Sequence, residues 1–251
     1  RVYNTLRALV PSGEITIAAW FISHPHSDHQ RGFTEFAANH ANDPEFTVER
    51  IVANYVNRDM YQYVRDDGTK ESNGGLVDEL RRIVKDDFPE AQFVKAHTGQ
   101  VYNFGTSSVE VLYTVEDYLP AEKFNYVNSA SLVIRVTVDN TSVMLLADTT
   151  HVSGKIMEDM FGTHLKSDMV QLAHHGMAPS NASLYKFIQA DVLLWPSTYN
   201  HAETRFGQYA SVINVALDYA EDVYVSDVAL TTLKLPYVIQ NNKQDELSKF
   251  R

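Results

Sequence analysis

Four side chains able to bind a metal ion fall within six residues, His24-Pro25-His26-Ser27-Asp28-His29, directly after the apolar run Ile15-Thr16-Ile17-Ala18-Ala19-Trp20-Phe21-Ile22. In an extended segment residues two apart point the same way, so His24 and His26 can grip one cation. Asp28 and His29, past the bend, can reach a second. Together these side chains make half of a two-metal hydrolytic site. The bland alternative is a solvated polar turn, but a merely structural cluster would bury several costly polar groups without partners.

Two later strand ends supply what the first motif lacks. Val143-Met144-Leu145-Leu146-Ala147-Asp148 is an apolar strand ending in a carboxylate, and Met169-Val170-Gln171-Leu172-Ala173-His174-His175-Gly176 ends in paired imidazoles. Ligands at strand ends sit on rigid elements while loops admit a substrate. Two cations about 3.5–4 Å apart need a bridging anion to relieve their repulsion, and Asp148 is the natural candidate. A strand-terminal Asp on its own reads as a turn or helix-cap residue. An adjacent His pair on its own reads as one ring in the core and one in water. Each gains its meaning from the other motifs. Among the remaining histidines, His97 sits in a turn-like Ala96-His97-Thr98-Gly99 and is a weaker ligand candidate. His201 reads as a surface imidazole that could reach a phosphate, His151 as a helix-start residue beside the centre, and His40 and His164 as ordinary surface positions.

Elements able to hold these side chains are legible in the apolar spacing. Residues 15–22, 50–56, 108–114, 131–138, 142–147, 169–173, 191–195, 222–226 and 230–235 read as strands. Helical stripes alternate with them: Leu76, Leu80, Ile83 and Val84, closed by Pro89; Ile156, Met157, Met160 and Phe161, with Ser153 as N-cap; and Val212, Val215, Ala216 and Tyr219. These stripes are expected to face the core. Residues 66–75 are polar and glycine-bearing, and read as an exposed connection or as a flap over the site. With no repeat and no linker, residues 1–251 read as a single α/β domain.

Lys and Arg number 21 against 32 Asp and Glu, a formal charge of −11 that repels a polyanion at long range and disfavours nucleic acid as partner. There is no cysteine, so any metal must be held by nitrogen and oxygen. No stretch approaches the apolar length of a membrane span, so the chain reads as soluble, with no membrane partner of its own. It begins at Arg1 rather than Met, which reads as a trimmed or processed product; the sequence leaves the compartment open, with an upstream export signal or a further domain of a longer envelope-associated protein as the alternatives.

The motif His24-x-His26-x-Asp28-His29, followed by Asp148 and His174-His175, resembles the signature of the metallo-β-lactamase-fold superfamily. The order Asn128-Ser129-Ala130-Ser131, Leu145-Leu146-Ala147-Asp148, His174-His175-Gly176, Tyr199-Asn200-His201 and Val223-Tyr224-Val225-Ser226-Asp227 is similar to one branch. That branch holds the hydrolase domain of bacterial DNA-uptake channel proteins (ComEC-like) and exported phosphodiesterases such as teichoic-acid phosphorylcholine esterases. The resemblance implies an αββα sandwich, lacking part of its first β-sheet because only twenty-three residues precede His24. It also implies His24, His26 and Asp148 on one metal, and Asp28, His29, Asp148 and either His174 or His175 on the other. Two divalent cations are expected, zinc foremost, with manganese or iron as alternatives, activating a hydroxide between them. Asp28, His174 and His175 are the residues implied in catalysis, Asp28 by orienting the nucleophile and the unused histidine by donating to the substrate. His201, Asn128 and Ser131 are substrate candidates.

The chain departs from the family at two further points. Ala147 stands where the branch commonly has Gly, and no residue clearly provides the third His that many members place on the first metal, which predicts weak occupancy of that site. The implied activity is hydrolysis of a small-molecule or cell-wall phosphodiester. A thioester, lactone or β-lactam hydrolase is the alternative, as is a non-catalytic binding domain with a degraded site.

Overall fold

The computed structural model describes residues 2–55, 58, 74–116, 127–227 and 231–250. Helices and strands are mixed along the chain, alternating from β9 onward, so the chain is an α/β protein as its spacing predicts. Its internal contacts divide it into two compact units, Arg1–His97 with Val115–Leu132, and Thr98–Thr114 with Val133–Arg251.

In the first unit, β1 (Ile15–Ile17) pairs in parallel with β3 (Phe46–Val48), while β2 (Trp20–Phe21), β4 (Arg50–Ala53) and β5 (Gln92–Lys95) form a separate parallel sheet in the order β2-β4-β5. The strand expected over 15–22 is therefore two strands. The break falls at Ala18-Ala19, where the Ala18 carbonyl accepts a hydrogen bond from the Arg50 guanidinium (3.2 Å) rather than from a neighbouring strand. Past Phe21 the Ile22 N–H still bonds to the Val52 carbonyl (2.9 Å), carrying an extended backbone up to the first histidine.

Helix α2 (Ser27–His40) buries Gln30, Phe33, Phe36 and Ala37, a stripe at helical spacing. Those phenylalanines pack with Ile15, Ile22, Ile51, Leu80 and Ile83, and each buried aromatic ring contributes about 2–3 kcal/mol. The expected stripe over 76–84 is α3 (Gly74–Arg82), continued by one wide turn over Ile83–Asp87 that closes with Phe88 N–H on the Ile83 carbonyl (3.1 Å), just before Pro89. Gly74 and Gly75 belong to this helix; residues 66–73 of the expected connection lie outside the described residues. Helix α1 (Val2–Leu9) lays Val2, Tyr3 and Leu6 against the same core.

The second unit is built on a seven-stranded sheet in the order β12-β11-β10-β9-β8-β7-β6. Strands β6 (Val101–Phe104), β7 (Ser107–Tyr113), β8 (Val133–Val138) and β9 (Thr141–Leu145) form an antiparallel meander. From β9 onward β10 (Met169–Gln171), β11 (Val192–Trp195) and β12 (Asp222–Val225) run parallel. Parallel neighbours need crossovers, which α4 (His151–Phe161), α5 (Ala182–Ile188) and α6 (Tyr199–Tyr219) provide. Their inward faces, including Met157, Leu184, Ile188, Ile213 and Leu217, share a core with Met144, Val170, Leu193 and Trp195. All the parallel strands end at the same edge, where ligand-bearing loops of open α/β sheets gather.

Several sequence expectations are corrected. Strands β3, β5 and β6 carry no long apolar run; β5 and β6 are partly exposed and mix polar with apolar residues. Residues 231–235 hold no strand: the chain there has no ladder partner and runs into Pro236, which has no N–H to give. The N-cap of α4 is Thr150, not Ser153; Ser153 closes a capping box by accepting the Thr150 N–H at 3.1 Å. Met160 on that helix is exposed. A short helix α7 (Lys243–Leu247) follows, and Phe250 beyond it sets its ring 5.6 Å from that of Trp195.

Candidate metal centre

The first unit contributes a cluster of imidazoles whose orientation is fixed from behind. His24 is fully buried, with Nδ1 3.2 Å from the Ser23 hydroxyl and 3.3 Å from that of Ser131. The Ser23 hydroxyl also lies 3.3 Å from Nδ1 of His29. In the tautomer whose Nδ1–H faces the serine oxygens, Nε2 is the nitrogen of His24 and of His29 that offers a lone pair. His24 Nε2 lies 3.0 Å from His26 Nδ1.

His26 is extended (φ −101°, ψ 150°) and caps α2; its carbonyl accepts the N–H groups of His29 and Gln30. The helix starts at once after it, which swings Asp28 and His29 round from the extended segment. Asp28 Oδ2 then lies 3.7 Å from His29 Nε2. Asp28, in the first turn, is also where a helix dipole favours negative charge.

The second unit contributes a carboxylate and two imidazoles from adjacent parallel strands. Asp148 follows β9 and is buried. Its Oδ1 lies 3.5 Å from His175 Nε2 and its Oδ2 3.7 Å from His174 Nε2. Metal–ligand bonds near 2.0–2.2 Å place two ligand atoms of one cation about 3–3.5 Å apart, so these pairs stand near the edge length of a coordination polyhedron and beyond good hydrogen bonds. Nitrogen and carboxylate oxygen suit zinc, manganese or iron. The residues within each unit thus fit a divalent cation.

The loop after β10 holds its histidines in a strained backbone. His174 (φ 50°, ψ 41°) and His175 (φ 54°, ψ 21°) are both left-handed, and Gly176 follows at φ 83°. Each left-handed non-glycine residue costs about 1–2 kcal/mol, so the surroundings must hold the turn. The His174 N–H bonds to the Ala147 carbonyl (2.9 Å), and the His175 carbonyl accepts from the Trp195 indole (3.1 Å) and the Arg205 guanidinium (2.6 Å). His175 Nδ1 donates to the Pro196 carbonyl at 3.0 Å, which fixes the tautomer and turns the Nε2 lone pair toward Asp148. A side chain at 176 would put its Cβ 2.7 Å from Trp195 Nε1, so only glycine fits.

Ser23, Gln171, Trp195 and Arg205 are absent from the sequence-level site. Nothing in a single sequence marks a hydroxyl or guanidinium as the partner of a distant imidazole; the one signal is Gly176 immediately after the His pair.

Of the other candidates, Ser131 is fully buried behind His24, and Asn128 is buried in the short turn Asn128–Ala130. His201 lies exposed in the first turn of α6, its N–H bonded to Thr198 Oγ1. His97 pairs with Glu116 at 2.8 Å. His151 is exposed at the start of α4, with its carbonyl accepting from Asn181. His164 bonds to Glu110 at 2.8 Å. His40, expected at the surface, is instead half-buried, stacked on Tyr3 with ring centroids 4.3 Å apart.

No family model matches the chain, and no curated protein does. Among solved structures it is similar to the metallo-beta-lactamase fold protein YhfI from Bacillus subtilis, at 13% identity over 91% of this chain and 82% of that one, with a TM-score of 0.48. It is also similar to CmlA, a diiron beta-hydroxylase from Streptomyces venezuelae, at 14% identity over 85% of this chain and 36% of that one, with a TM-score of 0.40. The chain thus spans about a third of CmlA's length.

Proposed function

We propose that this chain is a metal-dependent phosphodiesterase, a single metallo-β-lactamase-type domain that holds a pair of divalent cations. His24, His26 and Asp148 would hold one, and Asp28, His29, Asp148 and His175 the other. Support for Asp148 as a ligand comes from its burial and from its Oδ1, which faces the Nε2 of His175 at 3.5 Å. Divalent cations, when bound, supply Lewis acidity and bring the pKa of a shared water toward neutrality.

The chain's own groups do the rest. Ser23 and Ser131 keep the His24 ring from rotating, and the Pro196 carbonyl does the same for His175. His174 is then the ring left to donate a hydrogen bond or proton to a leaving oxygen. Asp28, exposed at the start of α2, can orient the attacking water. Phosphodiesters are favoured over carbonyl substrates by the resemblance of the run from Asn128 through His174-His175-Gly176 to Tyr199-Asn200-His201 to a branch whose members act on phosphodiesters. The charge of −11 favours a small or cell-wall diester over nucleic acid. Among the described residues no helix is long and apolar enough to cross a membrane.

The test is metal analysis of protein purified with zinc, manganese or iron(II), followed by assay of an aryl phosphodiester beside a lactone and a thioester. Two equivalents of metal with diester turnover is the expected result. Turnover of carbonyl substrates alone would move the function to the thioester, lactone or β-lactam class, and well under one equivalent would leave a binding domain. Asp148→Asn should abolish turnover while leaving the far-UV circular dichroism spectrum unchanged.

A further inference from the structure

We propose that Gln171 is the positioning residue of the metal centre, clamping Ala147 in the left-handed conformation that aims Asp148; this rests on the metal-dependent reading above. Gln171 is the last residue of β10, in register with Leu145, the last residue of β9. Beyond Leu145 the ladder stops, and Ala147 turns to φ 49°. The Gln171 side chain takes over where the strand gives out. Its Oε1 accepts the Ala147 N–H at 2.7 Å, and its Nε2 donates to the Ala147 carbonyl at 3.3 Å and to the Leu172 carbonyl.

A primary carboxamide carries a donor and an acceptor on one plane, as a neighbouring peptide group would. Glutamate lacks the donor, methionine lacks both, and asparagine is one methylene too short from the same backbone position. The Ala147 carbonyl also takes the His174 N–H, so the left-handed turns that present Asp148 and His174 are tied at a single oxygen. An alanine without such a clamp relaxes out of the left-handed region, where its Cβ crowds the following carbonyl. Asp148, the next residue, would swing with it. A bridging ligand that must meet two cations tolerates little such freedom.

The test compares wild type, Gln171→Met, Ala147→Gly and the double variant by elemental analysis and by zinc and manganese competition against a chromophoric chelator. Methionine preserves the volume and removes the clamp. The expected result is two equivalents in wild type and, for Gln171→Met, a loss of about 10–100-fold in affinity for at least one cation. Because glycine adopts the left-handed conformation freely, adding Ala147→Gly to Gln171→Met should recover about five- to tenfold of that loss. A general packing defect would not respond this way. Should Gln171→Met fail to fold, as judged by thermal melting of the metal-free protein, Gln171→Asn replaces it with the same expectation. Unchanged affinity, or a loss that glycine at 147 does not relieve, overturns the positioning role. Wild type holding well under one equivalent overturns the metal-centre reading itself, and the clamp with it.

Discussion

Ala147 and Gly176 sit in the same region of backbone space and make opposite predictions. Ala147, at φ 49°, bears the steric cost of a Cβ in the left-handed region; glycine would remove about 1–2 kcal/mol of strain but add unfolded-state entropy worth about 0.4–1 kcal/mol. Ala147→Gly should therefore stabilise the metal-free protein by about 0.5–1 kcal/mol in urea denaturation. Gly176→Ala should do the reverse. Its Cβ would meet the indole nitrogen of Trp195 at 2.7 Å and break the bond from that indole to the His175 carbonyl, on top of the φ 83° strain. We expect a loss of about 2–4 kcal/mol on the same measurement. A neutral outcome at 176 would mean that the indole moves freely, and that the His175 turn is not held from behind.

Elements buried on both faces are the ones a single sequence reveals. β11 is a continuous apolar run and β10 is apolar up to Gln171, because parallel strands covered by helices have no polar face; Asp148 and His174 stand out shortly past the ends of β9 and β10. β5 and β6 stay hidden because partly exposed strands mix polar with apolar residues, and 15–22 reads as one strand because Ala18-Ala19 is as apolar as its flanks. The segment after β12 is hidden for another reason: side-chain bonds to a buried carboxylate hold it. Asp222 accepts from Gln240 N–H (2.7 Å), Tyr237 hydroxyl (2.6 Å) and Asn242 N–H (2.7 Å). Burial pushes the Asp222 carboxyl up, but these donors outweigh it and hold the folded pKa below the ordinary 3.8. A depressed folded pKa stabilises in full above the unfolded value and is lost as pH falls through the folded one. The clasp should thus hold from neutral pH down to about 4 and loosen below it, with amide exchange over 237–242 rising first. Asp222→Asn should already show fast exchange there at pH 7.

The proposed centre requires ligands from distant parts of the chain to meet on the same cations, and metal-linked stability tests that requirement. A ligand that binds only the folded state stabilises by about 2.7 kcal/mol at a hundredfold excess over Kd. For a chain of this length that corresponds to a rise in melting temperature of roughly 5–10 °C per site. If His26 and Asp148 serve the same cation, removing either removes the same increment. His26→Ala and Asp148→Asn should then each lower the metal count and the metal-induced shift, and the double variant should lose little more than the worse single one. Two units that bound cations independently would instead give additive losses, as uncoupled sites do. Elemental analysis and melting curves with and without chelator on the four proteins decide it. Additivity would leave two separate half-sites, with no shared cation for Asp148 to bridge.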